Sequence, residues 1–508
     1  MPYISPNSTV RLLTDVPLDN TYKHTIYFAN ASAQQSFFSG KTAQTFTTQS
    51  YVRVNQGRIR LNVCADDVYN CNYLMFQNTN FGNKWFYAFI TAIEYVSNDT
   101  CEVGFELDCI QTWFFDFDLN ECMVLREHST SDTIGSNTQP EPVTLGPYIS
   151  QEASRSGHTS DKVIVAMSNI GSSGEPITAG SPLAGSWVGC NYTVCHLGNE
   201  SSMNSFAGFI NNIGDLAAIQ QELICCFTYY GDFITNATAS QPAGFGINIP
   251  KSLSNIDGYT PKNNKLFTYP YNFLQVMNDV GDTLDIRYEW YDGSNCQFRM
   301  TGDVSPNPQI VLVPLNYNNR VYNTANQLML TDFPQVTFNV DSFKVWLAQM
   351  ASNGSVNGMT SAIQSAVAGG VVGGGPGALG GLGVYALNTA INGALAYNGP
   401  GEVKGVQGSG VNFAAGYKDF FFVPTSISAE YARVIDDYFD VYGYATNRVK
   451  TPNRTARPQW NYVQTQNCAI TGSVPVQDMA TIKAAHDNGI TYWRNGNNVG
   501  NYSLDNSL

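Results

Sequence analysis

The residues that most often carry chemistry are histidines, cysteines and carboxylates held at short range. The five histidines are His24, His128, His158, His196 and His486. None stands in an HExxH or CxxCH pattern, the spacings that gather metal ligands on one helix face or attach haem. The cysteines are Cys64, Cys71, Cys101, Cys109, Cys122, Cys190, Cys195, Cys225, Cys226, Cys296 and Cys468, and no two make a CxxC pair. Cys190 and Cys195, with His196 next to them, approach a zinc-ligand set, but no second pair at finger spacing accompanies them. Buried free thiols are the expectation. Asp116-Phe-Asp-Leu-Asn120 begins like a calcium loop, yet Glu121 stands where that loop needs glycine, so a strand edge is expected. Gly375-Pro-Gly-Ala-Leu-Gly380 spells the dinucleotide fingerprint without a preceding strand or a βαβ unit, and there is no Walker A motif. No catalytic, cofactor-binding or metal-ligating residue is therefore assigned. A Cys/His or paired-carboxylate hydrolase needs partners close only in space, so that alternative stays open.

Composition narrows the classes further. Charged residues make up 13% of the 508 positions, against about 25% in soluble proteins at large. Polarity comes from amides and hydroxyls instead. A net charge of -14 argues against a wrapped nucleic acid, because phosphate binding relies on Lys and Arg. An acidic wall past which DNA slides is compatible with it. Met1-Pro-Tyr-Ile-Ser-Pro lacks the basic-then-apolar run of a secretory signal, so folding in a reducing cytoplasm is expected.

The elements that would position these residues are mostly strands. From Val10 to Glu127 short alternating runs recur, among them Arg58–Val63, Trp85–Val96 and Cys101–Cys109, which reads as an all-β unit. Residues 129–147 turn to Ser, Thr, Asn, Gly and Pro, a loop or boundary. Beyond them the pattern predicts a mixed α and β region, with strands at 162–167, 283–290 and 309–313 and helices at 202–212 and 215–225. Asp341 is placed to cap a helix over 342–350. A strand is expected at 420–423. A helix follows from Ser428 to Tyr442, with Tyr431, Val434, Ile435, Tyr438, Phe439 and Tyr442 on one apolar stripe and Gly443 as its stop. A last helix is expected at 478–487. Along the chain this gives an N-terminal β-rich domain over 1–128, a mixed middle over 129–340, a hydrophobic Gly/Ala-rich loop over 341–402 and a C-terminal segment over 403–508.

The loop has an unusual composition. From Val345 to Gly401 there is no Asp, Glu, Lys, Arg or His. Gly369/Gly373, Gly373/Gly377 and Gly377/Gly381 stand four apart, a spacing at which membrane helices pack. A spanning helix wants about 20 mostly apolar residues, and Gly373 to Gly377, with Pro376, interrupts the run. Two arms and a turn fit better, one over 356–372 and one over 379–397. Val356, Ile363, Val367, Val371, Val372, Leu379, Leu382, Val384, Leu387, Ile391 and Leu395 supply the apolar surface. A flexible Gly/Ala/Ser linker is the competing reading, but a solvated linker gains nothing from branched apolar residues.

Several stretches also carry a family resemblance: Tyr73–Phe89, Gln111–Asp116, Arg126-Glu-His128, Asn447–Asn453, Asn461–Thr465, Asp487–Trp493 and Gly500–Ser503. Together they resemble the tail knob, or distal tail tube, proteins of small short-tailed phages of Gram-positive bacteria. The resemblance is dense at the two ends and weak from about 129 to 341. It implies β-rich, tube-forming domains in a hexameric channel at the virion's tail tip, made in the host cytoplasm. It further implies DNA in transit without sequence-specific binding, contact with upstream tail tube or connector proteins, and a hydrophobic loop that plugs the lumen and enters the host membrane. A tail-associated cell-wall hydrolase and a receptor-binding adhesin are the alternatives.

Overall fold

The computed structural model describes residues 7–49, 57–79, 82–156, 162–168, 191–196, 223–230, 243–278, 281–302, 309–315, 317, 328–330, 335–337 and 419–508. The chain gathers into two units, each built from non-adjacent stretches. Met1–Tyr148, Ser254–Tyr271 and Ile427–Leu508 form the first; Ile149–Leu253 and Asn272–Ser426 form the second. The division into 1–128, 129–340, 341–402 and 403–508 follows the chain, whereas this grouping follows contacts.

The first unit begins with strands β1 (Ser8–Thr14), β2 (His24–Ile26), β3 (Thr42–Gln49), β4 (Arg58–Leu61), β5 (Cys71–Asn78), β6 (Trp85–Ser97), β7 (Thr100–Leu107), β8 (Phe117–Leu119) and β9 (Cys122–Glu127). Six of them form an antiparallel sheet in the order β3-β1-β5-β6-β7-β4. Successive side chains on a strand point to opposite faces, and here both faces are buried. Leu13, Tyr73 and Met75 join one apolar cluster with Phe38, Ile110, Ile482 and Ile490, while Val10, Leu12, Leu74 and Phe76 join another with Ile59, Val103 and Phe105. A one-residue slip would exchange the two sets, so the register is strongly specified.

A second sheet of this unit collects strands from both ends of the chain, in the order β2, Ile490–Trp493, Trp460–Gln466, β9, Tyr444–Lys450. The pairing of β2 with Ile490–Trp493 is parallel, His24 opposite Thr491. β8 pairs with Ile470–Gly472, so the Asp116–Asn120 stretch is a strand edge, as its sequence predicts. Asp116 Oδ2 accepts from Lys84 Nζ at 2.6 Å.

In the second unit Asn272–Met277 pairs with Phe421–Ile427 and with Thr283–Ile286, and Ser154–Arg155 adds to Phe421–Phe422. A four-stranded sheet runs Ala243–Pro250, Asn295–Gly302, Ile310–Leu315, Leu328–Leu330, and another Asn191–His196, Lys162–Ser168, Leu223–Tyr230, Gln335–Thr337. Phe298 packs against Phe422, ring centres 5.1 Å apart. The molecule is mainly β with few helices.

Four expectations are corrected. The helix expected over 215–225 is a strand from Leu223 onward; the rest of it, with 202–212 and 342–350, lies outside the described residues. The strand expected over 283–290 stops at Ile286, and Tyr288–Trp290 is a 3-10 turn. The strand expected over Cys101–Cys109 ends at Leu107, because Asp108 accepts from Gln111 N and caps the short helix Cys109–Thr112. The helix Ala429–Tyr442 has Ser428 at its N-cap and Gly443 at its end, but its inward face is Ala432, Ile435, Asp436, Phe439 and Asp440. Val434 is 66% and Tyr442 41% exposed. A helix over Ala31–Ser39, N-capped by Asn30, has no counterpart in the sequence reading.

Candidate functional site

Arg126, Glu127 and His128 are three consecutive ionisable groups on a family-like stretch, and all three are buried. Arg126 and Glu127 end β9, with His128 directly after it, and β9 lies between the Trp460–Gln466 and Tyr444–Lys450 strands. An ion taken out of water costs several kcal/mol unless it is paired and hydrogen-bonded. Arg126 and Glu127 are both, and His128 is hydrogen-bonded at each ring nitrogen. Arg126 Nη1 donates to the Gly443 carbonyl at 2.7 Å, and Nη2 pairs with Glu141. Lys265 Nζ pairs with the same carboxylate, which also accepts from Ala445 N at 2.8 Å. The Glu141 and Lys265 side chains are 0% and 2% exposed. Two cations thus share one anion, and aromatic faces take the surplus: Arg126 lies 4.7 Å from the Tyr438 ring centre, and Lys265 5.2 Å from Tyr444 and 5.6 Å from Phe439. Burial lowers the Lys265 pKa, with Glu141 acting against that shift.

Glu127 accepts from Lys450 Nζ and from Asn453 N. His128 Nδ1 accepts from Tyr462 N at 2.8 Å, so the ring proton sits on Nε2, which donates to the Asp440 carbonyl at 3.0 Å. Burial pushes its pKa down to about 3, and the ring is neutral at neutral pH. Gly443 adopts φ +65°, and a Cβ there would meet Glu127 O at 2.3 Å. That close approach is why glycine ends the helix.

The stretch Ser254–Tyr271 is tied to the same helix. Asp436, fully buried, accepts from Tyr259 Oη at 2.8 Å, Lys262 N at 2.7 Å, Asn263 N at 3.0 Å and Asn263 Nδ2 at 2.8 Å. Asp132 accepts from Asn264 N at 2.9 Å and from Tyr444 Oη. These carboxylates hold backbone N–H groups and bring three distant segments into one unit. As arranged, His128 bonds the backbone of the Trp460–Gln466 strand and of the helix Ala429–Tyr442, while Arg126 bonds the Gly443 carbonyl at the end of that helix and the Glu141 carboxylate, which is architectural work.

The other histidines divide similarly. His486 is buried, its Nδ1 donating to Ile482 O and its Nε2 accepting from Tyr492 Oη, each at 2.7 Å. His24 Nδ1 accepts from Trp493 Nε1 at 3.2 Å. His158 lies outside the described residues, and His196 is described only as the end of Asn191–His196. Cys71, Cys101, Cys109, Cys122, Cys296 and Cys468 are buried free thiols and Cys64 is half-buried. Among the described residues no group of three or more His, Cys, Asp or Glu could hold a metal ion, and no helix is long and apolar enough to cross a membrane.

All the residues assigned to the hydrophobic loop, Val356, Ile363, Val367, Gly369, Val371, Val372, Gly373, Pro376, Gly377, Leu379, Leu382, Val384, Leu387, Ile391 and Leu395, lie outside the described residues. The half-buried Asp132 and the buried carboxylates of Glu141, Asp436 and Asp440 have no motif in the sequence. For Asp436 and Asp440 the one signal is scarcity: in a chain this poor in charge, acids inside an aromatic helix are conspicuous; Asp132 and Glu141, in the loop after β9, have none.

The stretch that holds the six-stranded sheet has the likeness of a tail protein of tailed phages: residues 6–118 match the Caudoviral major tail protein N-terminus. Residues 232–507, more than half of the chain, match the C-terminal domain of tail knob protein gp9 of Bacillus phage phi29. The chain belongs to this tail knob family and is a component of the virion's tail. It is 25% identical to tail knob protein gp9 of Bacillus phage PZA, 25% to that of Bacillus phage phi29 and 26% to that of Bacillus phage B103, each match covering 100% of both chains. The bacteriophage C1 tail knob protein, gp12, shares the fold, with a TM-score of 0.62, 16% identity, and 99% of this chain and 100% of that one covered.

Proposed function

We propose that this tail knob protein forms the distal tube of a short tail. Six copies close into a ring, upstream tail tube or connector proteins hold it, and DNA leaves through its channel without sequence-specific contact. Residues 341–402 plug the distal opening and then enter the host membrane. The observation that carries the reading is the uncharged run from Val345 to Gly401 inside a chain matched end to end by tail knob proteins. A net charge of -14 suits a wall that DNA does not adhere to.

The test is electron microscopy of the purified protein together with dye release from lipid vesicles. Rings with a central hole are expected, and deletion of residues 354–398 leaves the rings and abolishes release. Replacing Val371 and Val372 with Asp has the same effect, since each acid costs about 2.5–3.5 kcal/mol at the centre of a membrane helix. A stable monomer without rings overturns the tube. Undiminished dye release from the deleted ring overturns the membrane role and leaves the stretch a linker.

A further inference from the structure

The loop after the Tyr444–Lys450 strand and the ring of Tyr27 enclose an open pocket of about 310 Å³, lined by Tyr27 and the residues from Lys450 to Thr455. The pocket lies wholly within the first unit, and its occupancy is read by ligand binding, a measurement separate from ring formation and from dye release. Lys450 is neutralised by Glu127. Two other cations are not matched in this way. The Arg454 guanidinium lies 5.6 to 6.0 Å from the ring centres of Tyr27, Phe114, Phe117 and Tyr492, and its Nη1 is buried without a hydrogen-bond partner. Arg494, exposed, donates from Nη2 to the Thr455 carbonyl at 3.3 Å and lies 5.0 Å from the Tyr27 ring centre. Among the described residues neither guanidinium is in an ion pair with a carboxylate.

In an acidic, charge-poor chain, a pocket with no acid in its lining, Arg454 in its wall and Arg494 bonded to its Thr455 carbonyl has the makings of a local anion site. A guanidinium presents parallel N–H groups that match two oxygens of a phosphate. The volume exceeds what one phosphate fills and falls in the range of small-ligand sites, about 300–1,000 Å³. Tyr27, held edge-on by Phe114 at 5.6 Å, offers an aromatic surface for the carbons that carry the phosphate. We propose that this pocket binds a phosphate group carried on a small polyol or sugar. Nucleic acid fits less well: its phosphates recur along a strand and are held by a track of cations, whereas this is a single pocket on a chain of net charge -14.

The full chain is titrated by calorimetry at low salt with glycerol 3-phosphate, inorganic phosphate, glycerol, and a twelve-nucleotide single-stranded DNA. Saturable binding of glycerol 3-phosphate is expected, tighter than inorganic phosphate, with none for glycerol. Arg494→Gln, at an exposed position, weakens it by about tenfold, the effect of losing one charged hydrogen-bond donor, with the melting temperature unchanged. Arg454→Lys, which keeps the charge but not the planar fork, also weakens it. Absence of saturation, an unaltered Arg494→Gln titration, equal affinity for inorganic phosphate, or displacement of glycerol 3-phosphate by the DNA overturns the proposal.

Discussion

The two sheets of the first unit are specified in different ways. In the six-stranded sheet the strands lie within one continuous stretch of chain, and apolar side chains alternate between two buried clusters. The sheet that pairs β2 with Ile490–Trp493 draws on both ends of the chain. It is packed around Arg126, Glu127, His128, Glu141 and Lys265, and an inserted stretch is pinned through Asp436. Strands close in sequence can find their register from periodicity alone. Segments hundreds of residues apart gain from buried polar groups, because only one arrangement satisfies every donor and acceptor.

The sharpest way to break this contrast is Glu141→Gln. It leaves Arg126 and Lys265 buried without an anion, and removing one partner of a buried ion pair costs about 3–5 kcal/mol. Urea unfolding is expected to show that loss. Replacing the whole triad (Arg126→Met, Glu141→Leu, Lys265→Met) recovers part of it, since apolar groups of similar volume need no ionic partner, while the Gly443 carbonyl and Ala445 N lose theirs. If the single variant is as stable as the parent, the buried charges do not hold this sheet.

Acidification separates the two regions next. Burial pushes His128 to about 3 and His486 to about 4, below the ordinary 6.5. The unfolded chain takes up protons on these rings below about pH 6.5 while the folded chain does not, so stability present above that pH is lost as it falls. Each ring accounts for about 2 kcal/mol between pH 6.5 and 5. Asp108, beyond β7, is pushed up to about 6 by burial, and its protonated form favours folding as pH falls through 6, a smaller opposing effect. The urea midpoint is expected to drop from pH 7 to pH 5, less steeply in a His128→Gln variant. A rise on acidification contradicts this.

A pair of glycines gives the smallest contrast. Gly443 and Gly82 share φ +65°, but a Cβ at Gly443 would meet Glu127 O at 2.3 Å, whereas at Gly82 it meets nothing within 4 Å. Gly443→Ala is expected to cost about 2–3 kcal/mol and Gly82→Ala about 1 kcal/mol, read from thermal melts. Equal costs would show that φ alone matters and that the approach of helix end to β9 does not.

The sequence by itself determined the mainly β class, the strand edge at Asp116–Asn120, the helix from Ser428 with its stop at Gly443, and the uncharged run from Val345 to Gly401. Those features depend on period, on caps and on composition, all of which are local. Only the tertiary structure decided which way that helix faces. Periodicity put Val434 and Tyr442 on the buried stripe, yet they are exposed, and Asp436 and Asp440 are buried instead. The same holds for the Ala31–Ser39 helix, where Phe38 and Gln34 are buried, Gln34 Nε2 donating to the Gln111 carbonyl at 2.8 Å. A carboxylate or amide is placed inside only when donors and acceptors arrive to meet it. For Asp436 those donors come from Tyr259, Lys262 and Asn263, more than a hundred and seventy positions away along the chain, and no local pattern announces that they will meet.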